Sequence, residues 1–191
     1  MKKLLIGILL SALTFSTLTF SIQAQENVPE PSKAPLAAMQ KLAPMTGVWS
    51  AHTEYSADNG ANWQTMARAD VEFSYQLKNL VLAEAPDDHQ SSGFQTATFF
   101  SYDQYRKIYR IAVMDDTWGI MDIYEGDIEN DKLVVTNLRS KTFFPIDEKT
   151  SRAFRLTIDI SGASARRMEI DKSDDGGKSW QPNFVVSYTK K

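Results

Sequence analysis

From Thr46 to the C-terminus, apolar and polar residues alternate with a period of two. Val71, Phe73, Tyr75 and Leu77 interleave with Asp70, Glu72, Ser74 and Gln76. Phe154, Leu156, Ile158 and Ile160 interleave with Arg155, Thr157 and Asp159, and Phe184, Val186 and Tyr188 repeat the pattern near the end. Such alternation turns one face of a strand toward a core and the other toward water. It predicts about ten strands, at 47–56, 63–76, 79–85, 95–103, 107–115, 117–126, 132–138, 152–161, 164–172 and 181–190.

The gaps between these strands are short and rich in turn formers, among them Asp58-Asn59-Gly60, Lys78-Asn79, Glu129-Asn130-Asp131 and Asp175-Gly176-Gly177. Gaps of this length make hairpins, whereas a parallel crossover needs about a dozen residues or more. The sheet is therefore expected to be antiparallel, with sequential neighbours paired. Closure into a single up-and-down barrel removes the exposed edges; a two-sheet sandwich is the competing arrangement. Two longer connections, 86–93 and 140–151, are the candidate mouth loops and the places where mobility is expected.

The first residues follow a different rule. Met1-Lys2-Lys3 precedes an apolar run from Leu4, broken by Ser and Thr and ending near Gln23-Ala24. A positive start, a short apolar core and a small residue before a polar run describe a secretory signal peptide. Leu4 to Phe20 is about 17 residues, the lower limit for spanning a bilayer, so residues 1–24 are read as a leader cleaved after Ala24. The chain has no cysteine, which excludes a lipid anchor, a disulfide staple and thiol chemistry. The expected location is periplasmic or secreted. Residues 25–35 read as a disordered Pro-rich arm, and 36–191 as the barrel domain. At the junction Ser32 can cap a short helix, with Pro35 in its first turn, Leu36, Met39 and Leu42 on one stripe, and Pro44 ending it.

Cleavage leaves 167 of the 191 residues, with 19 basic against 24 acidic groups once Lys2 and Lys3 are gone. A net negative chain argues against nucleic acid and anionic membrane surfaces as partners.

One motif occurs twice. Ser56-Ala-Asp58-Asn-Gly60-Ala-Asn-Trp63 and Ser173-Asp-Asp175-Gly-Gly177-Lys-Ser-Trp180 both fit S-x-D-x-G-x-x-W. The motif resembles the Asp-box of sialidases and other β-propeller proteins, where it is a structural hairpin away from the catalytic centre. Side-chain oxygens bonding turn amides, and glycine accepting positive φ, explain it locally. A propeller of six four-stranded blades would need about twice this chain, so the boxes are expected to close two hairpins here. Calcium at the second box is disfavoured, because Pro182 stands where an EF-hand loop requires a bidentate Glu.

Gly47-Val-Trp49 after a short helix is similar to the opening of calycin barrels, the group that includes lipocalins and fatty-acid-binding proteins. The resemblance implies that Trp49 plugs the closed end beneath a basic residue from a late strand, with Arg166, Arg167 and Lys190 as candidates. A closer resemblance is to an uncharacterised family of exported bacterial calycin-like proteins, a domain of unknown function. It rests on Gly47-x-Trp49, Phe100-Ser-Tyr102-Asp103, Trp118-Gly119 and Gly126-Asp127 and spans about 36 to 190. It implies a fold and brings no chemistry with it.

No nucleophile elbow, zinc-protease helix, Walker loop or dinucleotide fingerprint is present. His52 and His89 are both early, whereas the haem ligand of nitrobindin-like barrels is late. No metal or cofactor is expected. What remains is polar residues interrupting apolar faces: Glu84 after Leu80 and Leu82, Asp122 after Trp118 and Ile120, and Arg110 among Ile108, Ala112 and Met114. With the aromatic-rich central meander, they suggest a small, partly apolar or aromatic ligand bound inside the barrel by Trp118, Asp122, Tyr124, Arg110 and Glu84. An envelope interaction protein acting through its loops is the alternative. A carboxylate-based enzyme is the third reading.

Overall fold

The computed structural model describes residues 31–86 and 95–191. The proposed leader, most of the arm and most of the first long connection lie outside the described residues. A helix α1 (Lys33–Gln40) and a 3-10 turn (Ala43–Met45) lead into β1 (Gly47–Tyr55) and β2 (Gln64–Gln76). Then come β3 (Val81–Pro86), β4 (Thr96–Asp103), β5 (Ile108–Asp115), β6 (Met121–Glu129) and β7 (Lys132–Thr136). A two-residue strand β8 (Phe144–Pro145) precedes β9 (Ser151–Asp159), β10 (Ala165–Ser173) and β11 (Gln181–Lys190).

Every pairing is antiparallel, and the order β10-β11-β1-β2-β3-β4-β5-β6-β7-β9 closes on itself through β9–β10. The protein is an all-β, ten-stranded up-and-down barrel, with β8 paired only to the start of β9. The sandwich does not form. Closure leaves the ten strands without a free edge.

The sixth strand runs Met121–Glu129 rather than 117–126. Residues 117–120, expected in the sixth strand, form a turn instead, because Asp115 accepts the backbone N–H groups of Thr117, Trp118 and Ile120 and Gly119 takes φ +65°. The arm's last three residues, Lys33 to Pro35, are helical. Ser32 occupies the cap position as expected, but its hydroxyl donates to Gln104 rather than to the helix.

The helix fills the end of the barrel where β1 begins. Met39, Leu42, Met45 and Trp49 are fully buried there. The last carbonyls of the helix, Ala38 O and Met39 O, accept Lys41 N and Leu42 N, and tyrosines from the wall give each a second bond: Tyr109 donates to Ala38 O (2.8 Å) and Tyr75 to Met39 O (2.5 Å). Trp49 Nε1 donates to Met45 O at 2.8 Å. Of the three basic candidates, Arg166 covers the plug. Its guanidinium lies 4.5 Å from the Trp49 ring, 4.0 Å from Phe73 and 4.5 Å from Tyr188. Lys190 approaches Trp49 at 4.9 Å while bonding Thr46 O, and Arg167 lies outside against Glu169.

The two S-x-D-x-G-x-x-W turns join β1 to β2 and β10 to β11, side by side at the other end. In the first, Ser56 donates to Asp58 and accepts from Gly60 N; in the second, Ser173 donates to Asp175 and accepts from Gly177 N. Asp58 is held down at about 2, first by its bonds with Asn62 and then by Ser56. Asn183 ties the turns together through Ser56, donating to its carbonyl at 3.2 Å while Ser56 N returns a bond at 2.8 Å.

Candidate functional site

Between the plug and these turns the barrel is hollow. A cavity of about 370 Å³ occupies the mouth half, within the size range of small-molecule sites. Inward-facing positions of period two build its walls: Phe100 on β4, Val113 on β5, Phe154, Leu156 and Ile158 on β9, Met168 and Ile170 on β10, and Phe184 and Val186 on β11. The rim is made by Tyr55, Thr96, Asp115, Trp118, Phe144 and Arg152, at the mouth-side strand ends and in two mouth connections.

Polar groups interrupt this lining at few places. Asp122, at the start of β6, accepts the Tyr124 hydroxyl at 3.1 Å. Burial raises the Asp122 carboxyl above the usual carboxylate range against the bonds from Tyr124 and Thr142, and among the described residues the charge acting on it is that of Asp115, of like sign. Tyr124 is pushed well above an ordinary phenol, first by burial and then by the Asp122 charge. Asp115 has the opposite balance: burial works against its charge, but bonds from Trp118, Thr117, Ile120 and Gly119 outweigh it and hold the group ionised. Arg152, the one cation on the rim among the described residues, is committed to Asp174 by two bonds of 2.7 and 2.8 Å.

Of the five expected ligand residues, Trp118, Asp122 and Tyr124 line the cavity together. Trp118 sits on the mouth turn with its ring edge-on to Phe144, 6.5 Å between centroids. Glu84 points inward but lies below the cavity, buried, where the Tyr188 hydroxyl donates to it at 2.9 Å. Arg110 is not brought to the site. Its position in β5 faces outward, and its guanidinium pairs with Glu125 at 3.0 Å on the outer wall. Ile108, Ala112 and Met114 therefore mark the outer face and Tyr109, Ile111 and Val113 the inner one, the reverse of the expected assignment. His52 also faces outward, bonded to Thr65.

The connection 137–150 contributes Phe144 and is wired into the wall. Buried Asn137 donates to Thr142 O and accepts from Phe154 N, both at 2.8 Å, while Ser140 donates to Ile123 O and Thr142 accepts from Ile123 N. These side chains continue the β6 ladder beyond the last β7 partner. Asn137, Phe144 and Asn183 carried no periodic signal in the sequence. Thr98, which alternates with Phe100, could have been read from it.

A half-buried carboxylate without a counter-ion costs stability. Because the folded Asp122 carboxyl lies above its unfolded value, stability contributed by its neutral form is present at low pH and lost as pH rises through the raised value. Asp122→Asn, which still accepts from Tyr124, should therefore be more stable than the parent at pH 7, on the order of 0.5 kcal/mol after solvent screening, and indistinguishable from it at pH 3. Thermal melts at the two pH values measure this; a variant less stable at pH 7 would contradict it.

A model of a protein family of unknown function, DUF1579, matches residues 34–190. The chain belongs to this family. The match covers the helix from its second residue and all eleven strands, and it contains the motifs on which the resemblance to an uncharacterised family rested. Within this DUF1579 fold Asp103 anchors the β4–β5 turn by accepting Tyr105 N and Arg106 N, and Gly126 lies against the backbone of β7. A search of curated proteins finds no match. Among solved structures, the S-type phycobiliprotein lyase CPES from Guillardia theta is similar over 80% of this chain and 91% of its own, at 8% identity and a TM-score of 0.43.

Proposed function

We propose that this protein is an exported carrier or sensor that binds a small, mostly apolar ligand inside its barrel. The observation that carries the reading is the hollow mouth half: apolar walls from five strands, with Asp122 and Tyr124 hydrogen-bonded to each other at the side. A folded chain that leaves this volume empty forgoes packing contacts, and a half-buried carboxylate adds a further cost. Sites that keep such costs are commonly sites of use. Export is supported by the Met-Lys-Lys start, the short apolar run and the small residue at position 24.

N-phenyl-1-naphthylamine, a neutral apolar probe whose emission rises out of water, should bind saturably with one site per chain. Ile170→Trp, which fills the cavity from β10, should weaken that binding at least tenfold while the barrel still melts cooperatively. Absence of saturable binding, or binding unchanged in the filled variant, would retire the ligand site. Protein secreted from the full-length sequence should begin at Gln25; a mature product that keeps Met1 would retire the export reading.

A further inference from the structure

We propose that the cavity is selective for apolar amines, with the ligand's ammonium held by Asp122 and its hydrocarbon or aromatic body against the β9–β11 wall. The inference rests on the cavity being a ligand site and adds the charge of what enters it.

The charges facing the cavity do not balance. Asp122 receives hydroxyl bonds from Tyr124 and Thr142, both neutral donors, and among the described residues no cation pairs with it. Asp115 on the same side is ionised and has its oxygens turned to backbone N–H groups. Arg152 is neutralised by Asp174 at the rim. Arg166 lies below, among Trp49, Phe73 and Tyr188, where its charge acts on buried Glu84. Among the described residues, two negative groups therefore face the cavity without a counter-ion.

This arrangement discriminates by charge. An anionic head would meet like charge in a poorly hydrated space, where repulsion is strong. A neutral hydroxyl could bond Asp122 but would leave its charge uncompensated. An alkylammonium carries a full charge at neutral pH and makes a charge-assisted bond, stronger than a neutral one. Taking an ion pair out of water is costly, but Asp122 is already partly desolvated by folding, and its place near the rim leaves the ammonium within reach of water. The walls below fit an apolar body. Phe100, Phe154 and Phe184 suit an aromatic one.

Three probes of one shape test the proposal by calorimetry at pH 7: 4-phenylbutylamine, 4-phenylbutanol and 4-phenylbutyrate. The amine should bind at least tenfold more tightly than the alcohol, and the carboxylate more weakly than either. In Asp122→Asn, which keeps an acceptor for either head group but no charge, the amine's advantage should shrink to within about twofold of the alcohol. Equal affinities, a preference for the carboxylate, no binding of the amine, or an advantage that survives Asp122→Asn would overturn the inference. Whether the cavity is a site at all is decided separately by N-phenyl-1-naphthylamine, which carries no charge.

Discussion

Arg166→Ala should destabilise the barrel by about 2–5 kcal/mol, the range for truncating a large buried side chain. The guanidinium lies among three rings, with its centre 4.0 to 4.5 Å from their centroids, a desolvated cation–π arrangement. Its side chain is 5% exposed, and Glu84, 6% exposed, depends on its charge. Burial raises the Glu84 carboxyl above its ordinary 4.5, and Arg166 is the largest influence opposing that rise. Removing Arg166 takes the carboxyl higher still. A raised carboxyl contributes stability while protonated and loses it as pH climbs through the raised value, so the deficit should be larger at pH 8 than at pH 5. Replacing the pair together, as Glu84→Gln with Arg166→Met, should recover most of the loss, since no unpaired charge is then left inside. Urea denaturation at both pH values measures all three. A loss below about 1 kcal/mol, or one that is the same at both pH values, would mean that the plug does not depend on this charge.

Gly126→Ala should cost about 3 kcal/mol or more, at the top of the usual range for overpacking. A Cβ at this position would stand 1.9 Å from Val134 O and 2.8 Å from Val135 Cα. Both are backbone atoms of β7, so no side-chain rotation relieves the clash and the strand itself must move. Its movement would disturb Leu133 and Val135, which are fully buried, and the wall that Asn137 begins. Gly176→Ala provides the contrast: φ is +73° there but nothing lies within 4 Å, so only the left-handed conformation is penalised, about 1–2 kcal/mol. Should the two variants lose the same amount, the close approach of β6 and β7 would not be what requires glycine at 126.

Period-two patterning was enough for the strands. Most of the ten expected segments agree with the barrel strands to within two residues, because a half-buried strand must alternate wherever it occurs. The sixth shows where that logic ends. Trp118 and Ile120 continued the alternation on paper, yet one carboxylate at Asp115 accepting several amides turned the chain away from the sheet. The same local bonding was readable in the two S-x-D-x-G-x-x-W segments only because the motif repeats.

The site was legible in part. Asp122 and Tyr124 were found as polar and aromatic positions on an apolar face, and Trp118 was found beside them. Arg110 was assigned to the wrong face because β5 is apolar on both: Tyr109, Ile111 and Val113 face in, while Ile108, Ala112 and Met114 face out beside it. Alternation carries no information where both phases are hydrophobic, and only the partner across the sheet, Glu125, reveals the direction. Glu84 was correctly turned inward, but its depth follows from the barrel's tilt and the reach of Tyr188.

By itself the sequence determined the strands, the hairpin turns, the helix at the head of the barrel and the family, since each depends on residues close together in the chain. Tertiary structure alone decided that the mouth half stays hollow, that Arg166 rather than its neighbours covers Trp49, and that Asp122 lacks a counter-ion. Those facts depend on which side chains from strands far apart in sequence meet across the barrel axis. Volume and charge balance are sums over all of them, and no local pattern encodes such a sum.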